Sequence, residues 1–254
     1  MTKTALITGA TSGLGYEFVK LFANDGYNLV LVARNGKKLE EIKQTYTNID
    51  VTVISKDLGV LGAPKEVFEE VEKRGINVDI LVNNAGFGLM GKFDDLDIQK
   101  QVNMIQLNIT ALTELTFYFL QKMKLNNSGR VLNVASTAAF QPGPLMAVYY
   151  ATKAFVLSFS EALVEELAGS AITVTTLCPG PTKTNFGSVA NVEGTKMFSS
   201  AMASDLVAKK GYEALMSGKR VIITGGFNKA GALGAKFMPR STAAKIAKYI
   251  AGEK

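Results

Sequence analysis

Histidine is absent from this 254-residue chain, and cysteine occurs once, at Cys178. No His/Cys zinc site can be built from that stock, and neither a Ser-His nor a Cys-His nucleophile can exist. Any general acid has to be tyrosine, lysine, aspartate or glutamate. A single thiol cannot close an intrachain disulfide, which fits a reducing compartment. No apolar run reaches the roughly 18 residues of a membrane span. The opening MTKTALITGA reads as a strand at once, without a basic and apolar leader. The expectation is a cytoplasmic chain with no transmembrane segment.

Acidic residues are scarce in one region. From Lys219 to Lys254 there are eight basic residues and one acid, Glu253. That stretch carries +7 of a net charge of +6, which leaves −1 on residues 1–218. A body of that charge is not a nucleic-acid surface, and the tail is a local basic feature that needs its own explanation. The remainder, 47% apolar and 20% charged, is that of a globular chain long enough to bury its own core.

Seven β-rich runs recur: TALITGA, NLVLVAR, VTVISKD, DILVNNAG, RVLNVAS, ITVTTLCPG and RVIITGG. Several are continuously apolar, as strands covered on both faces are. Helical patterns lie between them. Leu14, Phe18, Leu21 and Phe22 fit one face, as do Val156, Phe159, Leu163 and Leu167. This alternation predicts an α/β fold, a doubly wound parallel sheet of about seven strands with helices on both faces. With no linker or repeat, residues 1–254 read as a single domain. Residues 185–203 look loop-like and long enough to be a substrate loop. Residues 228–254 form a basic C-terminal extension ending in a short helix, STAAKIAKYIAGEK.

The stretch TGATSGLG follows the first strand and opens the first helix. Gly9, Gly13 and Gly15 permit a tight turn and close approach of a phosphate to backbone N–H groups, and the helix N-terminus favours the anion. Further on, YYATK places two tyrosines three and four residues before Lys153, so either Tyr149 or Tyr150 can share its helix face.

Taken together, TGxxxGxG, NNAG at 83–86, Ser136, Tyr-xxx-Lys at 149–153 and Pro-Gly at 179–180 resemble the short-chain dehydrogenase/reductase family over residues 3–225. The stretch YYATKAFVLSFSEALVEEL followed by CPGPTKT is most similar to a branch with bacterial carbonyl reductases and hydroxysteroid or 3-oxoacyl reductases. The resemblance implies a Rossmann-type sheet and hydride transfer between a nicotinamide and a carbonyl or secondary alcohol. It makes Tyr149 the proton donor. Lys153 would lower the tyrosine pKa and hold the nicotinamide ribose, Ser136 would orient the substrate oxygen, and Asn108 would complete a water-linked proton relay. A nearby ammonium favours phenolate, which is the physical basis of that pairing. Tyr150 would be a packing or pocket residue, and Cys178 buried packing.

The resemblance places Gly9, Thr11, Ser12, Gly13, Leu14 and Gly15 at the cofactor, with Asp57 and Leu58 at the adenine. Asn83, Asn84, Ala85 and Gly86 would line the adenosine ribose. Pro179, Gly180, Thr182 and Thr184 would hold the carboxamide, and Tyr149 and Lys153 also touch the cofactor. The second strand ends at Ala33 and Arg34 with no acid to hold a ribose 2′-hydroxyl. Arginine there can pair a 2′-phosphate, so the expected cofactor is NADP(H) rather than NAD. No metal is implied.

Phe87, Leu89, Phe140, Leu145, Met146, Phe186, Met197, Phe198 and Met202, with only Lys183 and Lys196 charged, suggest a small-molecule substrate that is an apolar carbonyl compound or alcohol. Two alternatives stand beside the reductase: a 3-oxoacyl-carrier-protein reductase and a non-catalytic NADP-sensing protein. The resemblance also implies a homodimer or homotetramer through helices carrying Leu115, Phe117, Phe119, Phe155 and Phe159. For the tail, four readings stay open: a docked helix with a solvated basic face, an anionic membrane surface, an acidic carrier-protein partner, or an oligomer contact.

Overall fold

The computed structural model describes residues 2–190, 192, 194–195, 198 and 201–252. In chain order its elements are β1 (Thr4–Thr8), α1 (Gly13–Asn24), β2 (Asn28–Ala33), α2 (Gly36–Thr45), β3 (Val51–Ser55), α3 (Ala63–Lys73) and β4 (Ile80–Asn83). Next come α4 (Ile98–Ile105), a π-helical turn (Gln106–Ala111), α5 (Leu112–Leu125), β5 (Gly129–Val134), a 3₁₀ turn (Thr137–Phe140) and α6 (Ala147–Glu166). The chain continues through β6 (Ile172–Cys178), β7 (Thr182–Lys183), α7 (Phe186–Ala190), β8 (Met202–Ala203) and α8 (Ser204–Met216). It closes with β9 (Val221–Ile223), α9 (Gly226–Phe237) and α10 (Arg240–Ala251).

All seven β-rich runs become strands of one parallel sheet, in the order β3-β2-β1-β4-β5-β6-β9. The order reverses between β1 and β4, and a crevice opens at the carboxyl ends of the strands at such a switch point. Pleating sends alternate side chains to opposite faces. Thus Ala5 and Ile7 join Phe18 and Phe22 of α1 and Val207 and Leu215 of α8. Leu6 joins Val67 of α3, Leu115 and Phe119 of α5 and Leu163 of α6. With both faces covered, strand positions on either side are apolar, hence the near-continuous runs.

Two segments differ from the expected pattern. Residues 185–203 are not wholly loop: they hold the short helix α7 and β8, which pairs with β7. The C-terminal extension carries two helices, α9 and α10, where one was expected. Gly226, Gly231 and Gly234 hide α9, because each glycine disfavours a helix by up to ~1 kcal/mol. Docking of α9 on the 3₁₀ turn after Ser136, with Ala232 buried, overrides that propensity.

A buried polar chain fastens α6 to the sheet. Asn83 Nδ2 donates to Thr116 Oγ1 and to Asn133 Oδ1, each at 2.9 Å. Asn133 Nδ2 donates to Ser160 Oγ at 2.9 Å, and Ser160 Oγ donates to the Val156 carbonyl at 2.7 Å. Asn133→Ala removes the link and strands an amide donor on Asn83. At about 1–3 kcal/mol per buried group left unsatisfied, urea unfolding should show a loss of about 2–4 kcal/mol. An unchanged midpoint would mean the chain contributes nothing to holding α6.

Candidate active site

The glycine turn forms one wall of the crevice. Gly9 and Gly13 have φ of 65° and 53°, the left-handed region that glycine enters at little cost. A Cβ on Gly9 would come within 2.9 Å of Asn84 Nδ2, and one on Gly15 would collide with the Gly9 carbonyl. Gly15 does not line the cavity; it keeps α1 close beneath the turn. Thr8 joins this turn to the next one. Its hydroxyl accepts from the backbone N–H groups of Asn84 and Ala85, each at 3.0 Å, and Asn84 Nδ2 donates to the Thr8 carbonyl at 2.9 Å.

A cavity of about 390 Å³ runs along these turns. It is lined by Gly9, Thr11, Ser12, Gly13, Leu14, Arg34, Asp57, Leu58, Asn84, Ala85, Gly86, Ser136, Tyr149, Lys153, Pro179, Gly180, Thr182 and Thr184. Asn83 does not line it, contrary to the expectation for that turn. Its side chain points into the buried polar chain instead, because successive residues of a strand face opposite ways.

Arg34 follows β2, and Ser136 follows β5. Three strand spacings separate them, about 14 Å. Arg34 is exposed, and no carboxylate among the described residues pairs with it. Lys56 also lines this end and is tied to Glu66 at 2.6 Å. The sequence reading passed over Lys56, although it precedes the quoted Asp57.

At the other end Tyr149 is buried on α6. Burial pushes its pKa above the usual tyrosine range, while hydrogen bonding to the Ser136 hydroxyl acts in the opposite direction. The expected lowering by Lys153 is therefore not what the site gives: desolvation of the phenol dominates, and the opposing pull comes from Ser136. Ser136 Oγ also accepts from Ala138 N at 3.1 Å, which fixes the hydroxyl at the head of the 3₁₀ turn. Lys153 is buried as well, and its pKa is pushed down to about 8 by desolvation. Its Nζ donates to the Val134 carbonyl at 2.8 Å and lies 5.8 Å from the Tyr149 ring centroid.

Asn108 sits in the π-helical turn, outside the cavity lining. Its Oδ1 accepts from Phe87 N at 3.1 Å, and its Nδ2 donates to the Phe87 carbonyl at 2.9 Å and to Thr152 Oγ1 at 3.1 Å. Thr152 Oγ1 in turn donates to the Tyr149 carbonyl at 2.7 Å. The Asn108 side chain thus braces the turn after β4 against α6. No hydrogen bond joins it to Lys153 among the described residues. Both flank Gly86, where an added Cβ would lie 2.9 Å from Asn108 Oδ1 and 3.5 Å from Lys153 Nζ.

Around Tyr149 the lining turns apolar: Phe87, Met146, Tyr150, Phe186, Val189, Val192 and Phe198. Phe186 of α7 packs 5.4 Å from the Tyr149 ring. Leu89, Phe140, Leu145, Met202 and Lys183 were expected here and do not line the cavity; Phe140 is occupied by Lys236, 5.5 Å from its ring. Lys196 and Met197 lie outside the described residues. Sequence reading missed Leu107, Val189 and Val192, which carried no signal beyond being apolar. Cys178 is buried at the end of β6, as expected for packing.

The residues present fit a nicotinamide dinucleotide. A glycine-walled turn leaves room for phosphate, and a cation with no carboxylate partner among the described residues lies at one end. The other end holds a protonated phenol, a serine hydroxyl and a buried amine.

Comparison with known proteins agrees. The description "short chain dehydrogenase" matches residues 3–195. An uncharacterised oxidoreductase of Staphylococcus epidermidis is 34% identical over 178 residues, covering 70% of this chain and 77% of its own. A solved 7beta-hydroxysteroid dehydrogenase superposes with a TM-score of 0.84 at 26% identity, covering 96% of each chain. A short-chain dehydrogenase from Sphingobium yanoikuyae in complex with NADPH superposes with a TM-score of 0.81 at 29% identity, covering 91% of this chain and 92% of its own. The family match spans both turns and the Tyr149–Lys153 helix, and the chain belongs to the short-chain dehydrogenase family of nicotinamide-dependent oxidoreductases.

Proposed function

We propose that this chain is an NADP(H)-dependent reductase of an apolar ketone or aldehyde, with Tyr149 as the proton donor. One observation carries the reading: Tyr149, Ser136 and Lys153 converge at the apolar end of the cavity whose far end holds the unpaired Arg34. NADPH, when bound, supplies the hydride.

The chain's own residues do the rest. Tyr149 stays protonated at neutral pH because burial disfavours phenolate, so it stands ready to donate to the carbonyl oxygen. Ser136, anchored by Ala138 N, offers a second hydrogen bond to that oxygen and fixes its position. Lys153 is charged below about pH 8 and favours negative charge on the tyrosine oxygen once its proton has left. Asn108 holds α6 and the Gly86 turn together, and so sets the spacing between the lysine and the cofactor pocket. Among the described residues, every cation lining the cavity (Arg34, Lys56 and Lys153) belongs to the cofactor strip or the acid–base set. The apolar end therefore has none to spare for a substrate carboxylate, which favours an uncharged, bulky carbonyl compound. The likeness to a hydroxysteroid dehydrogenase supports the same class. Exposed Phe117 and Phe155 on α5 and α6 support a homo-oligomer.

Arg34 carries the preference for NADP(H), and the NADPH complex of the Sphingobium relative supports it. A charge-assisted hydrogen bond contributes about 1.5–3 kcal/mol. Arg34→Ala should therefore weaken NADPH binding by about 10- to 150-fold and leave NADH within a few-fold, read by fluorescence titration. Equal losses for both cofactors would remove the 2′-phosphate assignment.

The reaction itself is tested by NADPH oxidation against a panel of bulky ketones, diketones, steroids and 3-oxoacyl thioesters. Tyr149→Phe should cut turnover by about 10²- to 10⁴-fold with cofactor affinity retained, the usual contribution of a general acid. Tyr150→Phe should keep kcat within about tenfold, since only packing and pocket shape change. Equal losses in the two variants would overturn the assignment. Tight NADPH binding with no turnover on any substrate would favour the sensor alternative.

A further inference from the structure

The C-terminal helices α9 and α10 contribute no residue to the cavity wall, yet they hold the most exposed aromatic side chains among the described residues. Phe227 is 88% exposed, Phe237 89% and Tyr249 71%. On α9, Phe227, Leu233 and Phe237 fall on the side away from the buried Ala232. On α10, the buried stripe of Ala243, Ala247 and Ala251 is flanked on one side by Ile246 and Ile250 and on the other by Lys248. Between Gly226 and Gly252 there are five cations (Lys229, Lys236, Arg240, Lys245 and Lys248) and no acid.

Large apolar side chains left exposed along two consecutive helices mark an interaction surface. The charge decides between occupants. With Lys236 held over the Phe140 ring, a second copy docking through this face would still bring Lys229, Arg240, Lys245 and Lys248 against the same four with no carboxylate from the same segment, which costs rather than gains. An anionic bilayer meets both features: its headgroups attract the lysines and arginine, and aromatic and aliphatic side chains enter the headgroup–acyl boundary.

We propose that α9 and α10 form a peripheral docking face for an anionic lipid surface. No helix of the described residues is long and apolar enough to cross a membrane, so the face lies on the bilayer rather than in it. Because α9 packs on the 3₁₀ turn that follows Ser136, the docked surface adjoins the catalytic loops. An apolar carbonyl compound dissolved in lipid would then be concentrated beside the enzyme.

The full chain is sedimented with vesicles of phosphatidylcholine alone and with about a third phosphatidylglycerol, at low and high salt. The docking face predicts at least tenfold stronger partition onto the anionic vesicles, weakened by salt. Lys245→Glu with Lys248→Glu should lower that partition by at least about 25-fold, since each lost cation near an anionic surface contributes about fivefold and each added carboxylate is repelled by it. Phe227→Ser with Phe237→Ser should lower it about tenfold or more, because both rings leave the interface. In each variant NADPH binding and the circular dichroism spectrum should be unchanged, which separates lost docking from lost folding. No partition onto anionic vesicles at low salt would overturn the proposal. Partition that ignores the two phenylalanines would overturn it too, as plain surface charge. A change from dimer to monomer in the phenylalanine variant, with vesicle binding intact, would assign the face to a second copy instead. None of these readouts depends on turnover, so they stand apart from the test of the reductase.

Discussion

Lys153 is a buried amine with no carboxylate partner among the described residues, and the arrangement of the site follows from accommodating it. Its one protein hydrogen bond runs to the Val134 carbonyl at the end of β5. Desolvation holds its pKa at about 8 against an ordinary 10.5, a difference of about 2.5 units or roughly 3 kcal/mol in favour of the neutral form. The unfolded chain binds that proton more readily between pH 8 and 10.5, so this group lowers stability below pH 8 and the penalty fades as pH rises through that window. A fold does not keep such a group for stability. It fits a site that gains from a positive charge beside the Tyr149 phenol.

Holding the amine in place takes contributions from separate strands and helices. The parallel register puts the ends of β1, β4 and β5 at one edge, where Thr8, Asn84, Val134 and Ser136 meet. The buried chain from Asn83 through Asn133 to Ser160 fixes α6, and Asn108 in its widened turn fixes the Gly86 backbone against the same helix. Insertions of this π-helical kind often sit at functional sites. The sheet sets position to within a strand spacing, and these polar contacts narrow it further.

Much of this was legible in the sequence, for physical reasons. Strands covered on both faces must be apolar throughout, so the seven runs stood out and all seven became strands. Gly9, Gly13 and Tyr149–Lys153 were readable because tight turns and one-turn helical spacing constrain residue type locally. What depends on distance through space was not readable. The tyrosine's raised pKa comes from burial, which the i,i+4 spacing does not encode. Asn83 and Asn84 look equivalent in sequence, yet the pleat sends one into the core and the other to the site. Leu145 and Met202 share their composition with Met146 and Phe198, and only the packing of their segments separates the lining pair from the others. The helix α9 was masked by its glycines.

The most direct test of this account is the titration of Lys153 itself, followed through the ¹³C shift of its ε-carbon in lysine-labelled protein. The account predicts one lysine with a midpoint near pH 8, absent from Lys153→Met. If no lysine titrated near pH 8, Lys153 would be solvated, and the buried charge on which the site is built would not exist.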